Sequence, residues 1–218
     1  MKRLADCRLY GILDLGYVRP EAACDIVRQM IEGGIDILQL RAKNLAIDQI
    51  ERIGLQIEPL TSAAGVPLII NDHPEIVPVI GAQGAHVGQD DRPVADARWR
   101  AGRALAGEVP PPLIGKSTHS MEQAVAAASE GADYIGFGPL YATPTKPGRP
   151  AIGLGDVQRV NELVRIPIFC IGGINLKTLP SVLAAGAKCV VVVSAILQAA
   201  DITAYCRALK SKIQNLKS

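Results

Sequence analysis

Short apolar runs rich in Val, Ile and Leu alternate along the chain with longer stretches whose apolar positions recur at helical spacing. Ala23, Ile26, Val27, Met30 and Ile31 share one helical face, because they are separated by three or four residues. Ser120 followed by Gln123 has the pattern of a capping box and predicts a helix that opens there and ends before Gly131. A glycine junction recurs as Gly33-Gly-Ile-Asp36, Gly81-Ala-Gln-Gly84, Gly131-Ala-Asp133 and Gly186-Ala-Lys188, each time between a helical pattern and an apolar run. Glycine just past a helix fits the left-handed conformation that closes it, since no Cβ opposes that conformation. Successive junctions leave room for two strand–helix units.

The apolar runs predict strands at 9–14, 36–41, 67–71, 84–88, 112–116, 133–137, 167–171 and 188–193. Several, such as Lys188-Cys-Val-Val-Val-Val193, are continuous and β-branched, as parallel strands covered on both faces should be. Eight strands alternating with helices in 218 residues predict an α/β fold, a single (β/α)8 TIM barrel spanning 1–218. An open doubly wound sheet is the alternative. It would carry a Gly-rich loop after the first strand, and Leu13-Asp-Leu-Gly16 is a poor one.

Composition narrows the picture. Apolar residues make up 49% of the chain and aromatics 4%, so the core must be aliphatic. A net charge of +2 gives no reason to expect nucleic acid or an acidic membrane as partner. The longest apolar run, Cys189 to Leu197, contains Ser194 and is too short to span a bilayer. Asp6, Arg8 and Asp14 interrupt any signal-peptide core. Five scattered cysteines without paired spacing predict buried thiols in a reducing cytoplasm and no cysteine metal site. The partners expected are small molecules, and a homo-oligomer is compatible with the sequence.

In such a barrel, chemistry belongs at the C-terminal ends of the strands. Polar residues collect there. Strand 2 ends Gln39-Leu-Arg-Ala-Lys43, and residues 39, 41 and 43 would share an inward face if the strand stays extended. Strand 3 ends Asn71-Asp72, and strand 4 is followed by His86-Val-Gly-Gln-Asp-Asp91. Asp72 and Asp91 fit either helix caps or a Mg²⁺ shared with a substrate diphosphate, since Mg²⁺ takes one or two carboxylates plus phosphate oxygens. Strand 5 ends at Lys116-Ser-Thr-His119. Strands 7 and 8 lead into Ile171-Gly-Gly-Ile-Asn175 and Val193-Ser-Ala-Ile196, where backbone N–H groups can approach an anion; tight turns are the plain alternative. No clear nucleophile–base pair is visible. A lone histidine such as His86 or His119 reads first as structural or as a hydrogen-bond donor. The stretch 138–153 is longer than most connections and carries Thr143, Thr145, Lys146 and Arg149, which reads as a lid or as a plain loop.

In order and spacing, Gln39 to Lys43, Asn71-Asp72, His86 to Asp91, Ser117-Thr-His119, Gly138-Pro through Thr143-Pro-Thr-Lys146, and Ile171-Gly-Gly-Ile174 resemble the thiamine phosphate synthase family. The resemblance runs from the first strand to the eighth. It implies transfer of the aminopyrimidine-methyl group of hydroxymethylpyrimidine diphosphate to the ring nitrogen of a thiazole phosphate, with release of diphosphate. It further implies that Gln39, Leu40, Arg41, Ala42, Lys43, Asn71, Ser117 and Lys146 hold the pyrimidine diphosphate, and that Asp72 and Asp91 hold Mg²⁺. Thr143, Pro144, Thr145, Gly173, Val193 and Ser194 would bind the thiazole phosphate. Arg41, Lys43 and Lys146 would stabilise the leaving diphosphate.

Two positions depart from the family pattern. His73 stands where Arg is common after the Asn-Asp pair, and Leu13-Asp14 stands where Thr-Asp is common. A thiazole tautomerase shares the fold and a histidine placed like His119, but lacks the Gln-x-Arg-x-Lys and Thr-Pro-Thr-Lys features. A non-catalytic phosphate-binding regulatory barrel would not need both Asp72 and Asp91.

Overall fold

The apolar runs form eight parallel strands: β1 (Leu9–Asp14), β2 (Ile37–Arg41), β3 (Leu68–Asn71), β4 (Gly84–Val87), β5 (Leu113–Thr118), β6 (Tyr134–Phe137), β7 (Ile168–Cys170) and β8 (Cys189–Val192). Each pairs with the next in sequence, and β8 pairs with β1, so the barrel closes without a free edge. The computed structural model describes residues 1–102, 110–142 and 150–215.

Around the barrel lie α1 (Ala23–Glu32), α2 (Ile47–Ala63), α3 (Val77–Ile80), α4 (Val94–Gly102), α5 (Met121–Ser129), α6 (Val157–Leu163), α7 (Leu179–Ala184), α8 (Ser194–Leu197) and α9 (Ile202–Asn215). α1 buries Ala23, Ile26, Val27 and Met30, the face its spacing predicts. At the start of α5 the Ser120 side chain accepts from the Gln123 N–H, and the Gln123 side chain accepts in return from the His119 N–H. No helix among the described residues is long and apolar enough to cross a membrane.

Period-two alternation sorts the strand residues into two cores. Tyr10, Ile12, Ile37, Ile69, Tyr134, Phe169 and Val191 pack inside the barrel. Leu9, Leu13, Leu38, Leu40, Ile70, Ile135 and Val190 face the helices. Both sets are apolar, which is why the strands read as unbroken runs rather than as alternating ones. Burying each such aliphatic side chain contributes about 1.5–3 kcal/mol.

The glycine junctions divide by role. Gly81, Gly131 and Gly186 have φ of 80°, 86° and 98°, the left-handed closure expected past a helix. At the first junction that conformation falls to Gly34, with φ 88°. Gly33 is right-handed instead and is small for packing: a Cβ there would stand 2.4 Å from the Cys206 Cβ on α9.

No disulfide joins the five cysteines, and four of them, Cys7, Cys170, Cys189 and Cys206, are buried. Burial pushes the Cys7, Cys170 and Cys206 thiols up to about 12, so they remain protonated and unreactive.

Candidate active site

The alternation that buries Leu40 and Ala42 against the helix layer turns Gln39 and Arg41 the other way, into the barrel mouth. There a cavity of about 310 Å³ opens at the C-terminal strand ends. Gln39, Arg41, Asn71 and Ser117 line it from β2, β3 and β5, while Gly172, Gly173, Val193 and Ser194 line it from the segments after β7 and β8. Tyr10, Ile12, Tyr134, Phe169 and Ile171 add an apolar lining. Leu40 and Ala42 therefore stand behind the site, in contact with the core and not with the cavity.

Lys43 does not continue the inward face of β2. The strand stops at Arg41, and the Leu45 N–H bonds back to the Ala42 carbonyl at 3.3 Å, forming a turn. Lys43 emerges from that turn half exposed and meets Asp72, with Nζ 2.7 Å from Oδ2. Asp72 directly follows β3 and has a φ of 63°, the only positive value on a non-glycine residue among those described. Aspartate tolerates this conformation better than most residues. The Asp72 N–H is anchored to the His86 carbonyl at 2.9 Å.

Among the bonds described, none caps a helix through either carboxylate. His73 precedes the short turn at Pro74–Ile76, and no side-chain cap is made there. Asp91 is exposed and accepts from the Gly88 N–H through Oδ2 at 2.7 Å, which closes the loop after β4. The bonds described at Asp72 and Asp91 thus engage Oδ2 of each. Their Oδ1 atoms are hard oxygen donors from neighbouring strand ends, a set that fits Mg²⁺ completed by phosphate oxygens and waters. Among the described residues no cluster of three or more His, Cys, Asp or Glu could hold a metal by itself. A cation bound by this pair would depend on oxygens brought by a substrate.

Asp14, at the end of β1, is almost fully buried and pairs with Arg41 Nη1 at 2.5 Å while accepting from the Gly16 N–H at 3.0 Å. It orients the guanidinium toward the cavity. β5 runs further than the sequence pattern indicates, through Thr118, and this sets the parity of its end. Ser117 faces the cavity. Lys116 points outward to Glu130 at 2.9 Å, and the Thr118 hydroxyl donates to the Gly136 carbonyl at 3.0 Å. Gln89 donates to the Ser117 carbonyl at 2.5 Å, tying the loop after β4 to β5.

The wall after β7 depends on two consecutive glycines. Gly172 and Gly173 have φ of 100° and 66°, and added Cβ atoms would stand 2.4 Å from the Pro139 Cβ and 2.6 Å from the Tyr141 Cβ. Their bareness lets the segment after β6 lie against the cavity wall, where Leu140 and Tyr141 donate to the Ile171 and Gly172 carbonyls. His119 lines the same cavity, its Nδ1 bonded to the Gly138 carbonyl at 2.5 Å. Thr143, Pro144, Thr145 and Lys146, with the body of the expected lid, lie outside the described residues.

The sequence reading did not single out Tyr10, Tyr134, Phe169 or Asp14. One signal was present: in a chain with so few aromatics, three of them sit on strands at inward parity.

Fold and site together define an enzyme built as a (β/α)8 barrel, with its polar machinery gathered on the C-terminal face. The family model for thiamine monophosphate synthase matches residues 9–196. The chain is 40% identical over 211 residues to the thiamine-phosphate synthase of Chloroflexus aurantiacus, covering 96% of this chain and 94% of that protein. It is 42% identical over 194 residues to that of Thermus thermophilus, covering 88% and 90%. Among solved structures, the thiamine phosphate pyrophosphorylase from Pyrococcus furiosus superposes with a TM-score of 0.85 at 30% identity, covering 97% of this chain and 98% of that one. The chain belongs to the thiamine monophosphate synthase family, and it is a transferase.

Proposed function

We propose that the chain joins hydroxymethylpyrimidine diphosphate to a thiazole phosphate, producing thiamine phosphate and diphosphate. The observation that carries this reading is one cavity with two chemically different sides. Gln39, Arg41, Asn71 and Ser117 offer polar side chains from one arc of the barrel, while Gly172, Gly173 and Ser194 offer backbone and a hydroxyl from another. A pyrimidine diphosphate suits the first side and a thiazole phosphate the second. The wall between them is apolar.

In the proposed reaction the methylene C–O bond breaks, and its electron pair leaves with the diphosphate. The electron-rich aminopyrimidine stabilises the resulting cation, and the thiazole nitrogen forms the new C–N bond with its lone pair. Neither step needs an enzyme nucleophile or a strong base, so the His86–Ser117 pair in the cavity lining, Nε2 to Oγ 3.0 Å, is not called on for either. Arg41, oriented by Asp14, and Lys43 would bind the departing diphosphate, with Lys146 as a further cation. Mg²⁺ held by Asp72 and Asp91 would neutralise the charge that builds on the diphosphate. Tyr10, Ile12, Phe169 and Ile171 would keep water from the cation.

The test is direct. Purified protein, Mg²⁺ and both substrates should yield a product with the mass of thiamine phosphate, and omission of either substrate should abolish it. Isomerisation of the thiazole alone, with no condensation, would place the chain with the tautomerases instead.

A further inference from the structure

A chain of hydrogen bonds crosses the barrel beneath the cavity. Gln39 Nε2 donates to the Tyr10 hydroxyl at 2.9 Å, and Tyr10 and Tyr134 hydroxyls lie 3.1 Å apart. The Tyr134 hydroxyl is 3.2 Å from His86 Nδ1, and His86 Nε2 is 3.0 Å from the Ser117 Oγ. Five side chains from β2, β1, β6, β4 and β5 are thus joined end to end, and both ends line the cavity.

The orientation of the Gln39 amide, with Nε2 toward Tyr10, gives the chain a direction. Tyr10 accepts from Gln39, so its own proton goes to the Tyr134 oxygen. Tyr134 then donates to His86 Nδ1, which places the imidazole proton on Nε2, where it is given to Ser117. The Ser117 hydroxyl proton is left for the cavity, and so is Gln39 Oε1. With Nε2 of Gln39 facing Tyr10, the reverse order would leave the buried Tyr10 proton without an acceptor among these groups, an arrangement folded proteins avoid. Burial raises both phenols above their ordinary value, so both keep the proton the chain needs.

The rings have little freedom to break this order. Tyr10, Tyr134 and Phe169 meet edge to face, with centroids 5.3 to 6.0 Å apart. Gly115 makes room for Tyr134, since a Cβ there would stand 2.1 Å from its Cζ.

We propose that Tyr10, Tyr134 and His86 are positioning residues which hold Gln39 as an acceptor and Ser117 as a donor, so that the site selects an amino- over an oxo-pyrimidine. The selection rests on the pyrimidine reading above; the direction of the chain does not. An exocyclic amine can donate to Gln39 Oε1, whereas an oxo group would meet it as a second acceptor. A site built to pair with a substrate N–H rejects the analogue that lacks it.

Breaking the chain should release the amide. In Tyr134→Phe the Tyr10 proton loses its acceptor, and the Gln39 amide can turn so that Oε1 takes that proton and Nε2 faces the cavity. The preference for the amino- over the oxo-pyrimidine diphosphate, as a ratio of kcat/KM, should fall by at least roughly tenfold. The change should lie in the KM of the pyrimidine diphosphate, with the KM of the thiazole phosphate unaltered. Tyr10→Phe should shift the ratio in the same direction, because it removes the group that occupies Nε2. A loss of packing alone would lower both rates and leave the ratio in place.

A second measurement uses the wild-type protein without substrate. Its ¹⁵N spectrum should show His86 with Nε2 protonated and Nδ1 as the bare, pyridine-type nitrogen. A His86 protonated on Nδ1 alone would overturn the chain's direction, and an unchanged amino-to-oxo ratio in both variants would overturn its role in selection. If the wild type makes no thiamine phosphate, the substrate reading fails with it, and the histidine spectrum still decides the direction.

Discussion

The two ends of the barrel use aspartate in opposite ways. At the N-terminal end, Asp36 accepts from Lys2 Nζ at 2.5 Å, from Lys210 Nζ, and from the Arg8 and Leu9 N–H groups at 2.8 and 2.9 Å. Its side chain is 2% exposed, and its donors come from the N-terminal segment, β1 and α9. At the C-terminal end, Asp72 is 20% exposed and shares one oxygen with a Lys43 that is 49% exposed, while Asp91 is held only through Gly88 among the bonds described. The lower carboxylate is saturated by the fold and covered by it. At each upper one the bonds described engage a single oxygen. Residue type is therefore a poor guide to role. Under the proposed function, what separates a structural charge from a functional one is how far its partners already satisfy it.

Breaking the lower network should give the largest effect, and one confined to stability. Asp36→Ala strands Lys210 and two backbone N–H groups, and should lower unfolding free energy by roughly 3–5 kcal/mol in urea titrations. Turnover of the folded fraction should be unchanged. The same carboxylate sets a pH arm. Burial, the largest single influence, raises its pKa, but the bonds from Lys2, Lys210, Leu9 and Arg8 together hold it below the ordinary value. The ionised form is therefore favoured in the folded state. Its contribution is complete above the unfolded value of about 3.9 and is lost as pH falls through the depressed folded value. Below about pH 4 the wild type should lose stability through this group, and Asp36→Ala should lack that component.

The upper face should respond in activity and hardly in stability. Asp91→Asn retains an oxygen that can accept from Gly88 but loses the negative charge, so turnover should drop by roughly a hundredfold. High Mg²⁺ should restore part of it, and the melting temperature should stay within about 2 °C, because exposed charges contribute little to stability. Near-normal turnover at ordinary Mg²⁺ would mean that Asp91 only closes its loop. The smallest effect is expected at His119. The proposed reaction transfers no proton, so His119→Ala should keep product formation within roughly tenfold, a barrier change of about 1.4 kcal/mol. A thousandfold loss with intact folding would point to acid–base chemistry.

Much of this contrast was legible in the sequence, and the remainder was not for identifiable reasons. The strands could be placed to within about two residues because glycine closures bracket unbroken β-branched runs. Those same runs hide which face is inner, since both are apolar, and so Tyr10, Tyr134 and Phe169 did not stand out. The motif groups Leu40 and Ala42 with their neighbours, and nothing in it tells that their side chains pack in the core against the helix layer. Lys43 was expected to continue the inward face, but the turn begun at Ala42 takes it to Asp72 instead. The pairing of Asp14 with Arg41 joins residues 27 apart in sequence and depends on barrel register, where the two are direct partners. No local pattern encodes that.

The claim that the upper face is kept open for a diphosphate can be tested on that anion alone. Inorganic diphosphate would be titrated calorimetrically into wild-type protein, Lys43→Ala and Asp36→Asn, each with and without Mg²⁺. The account predicts binding that requires Mg²⁺, is weakened at least roughly tenfold by Lys43→Ala, and is unchanged in folded Asp36→Asn. Binding that ignores Mg²⁺ and survives Lys43→Ala intact would contradict it.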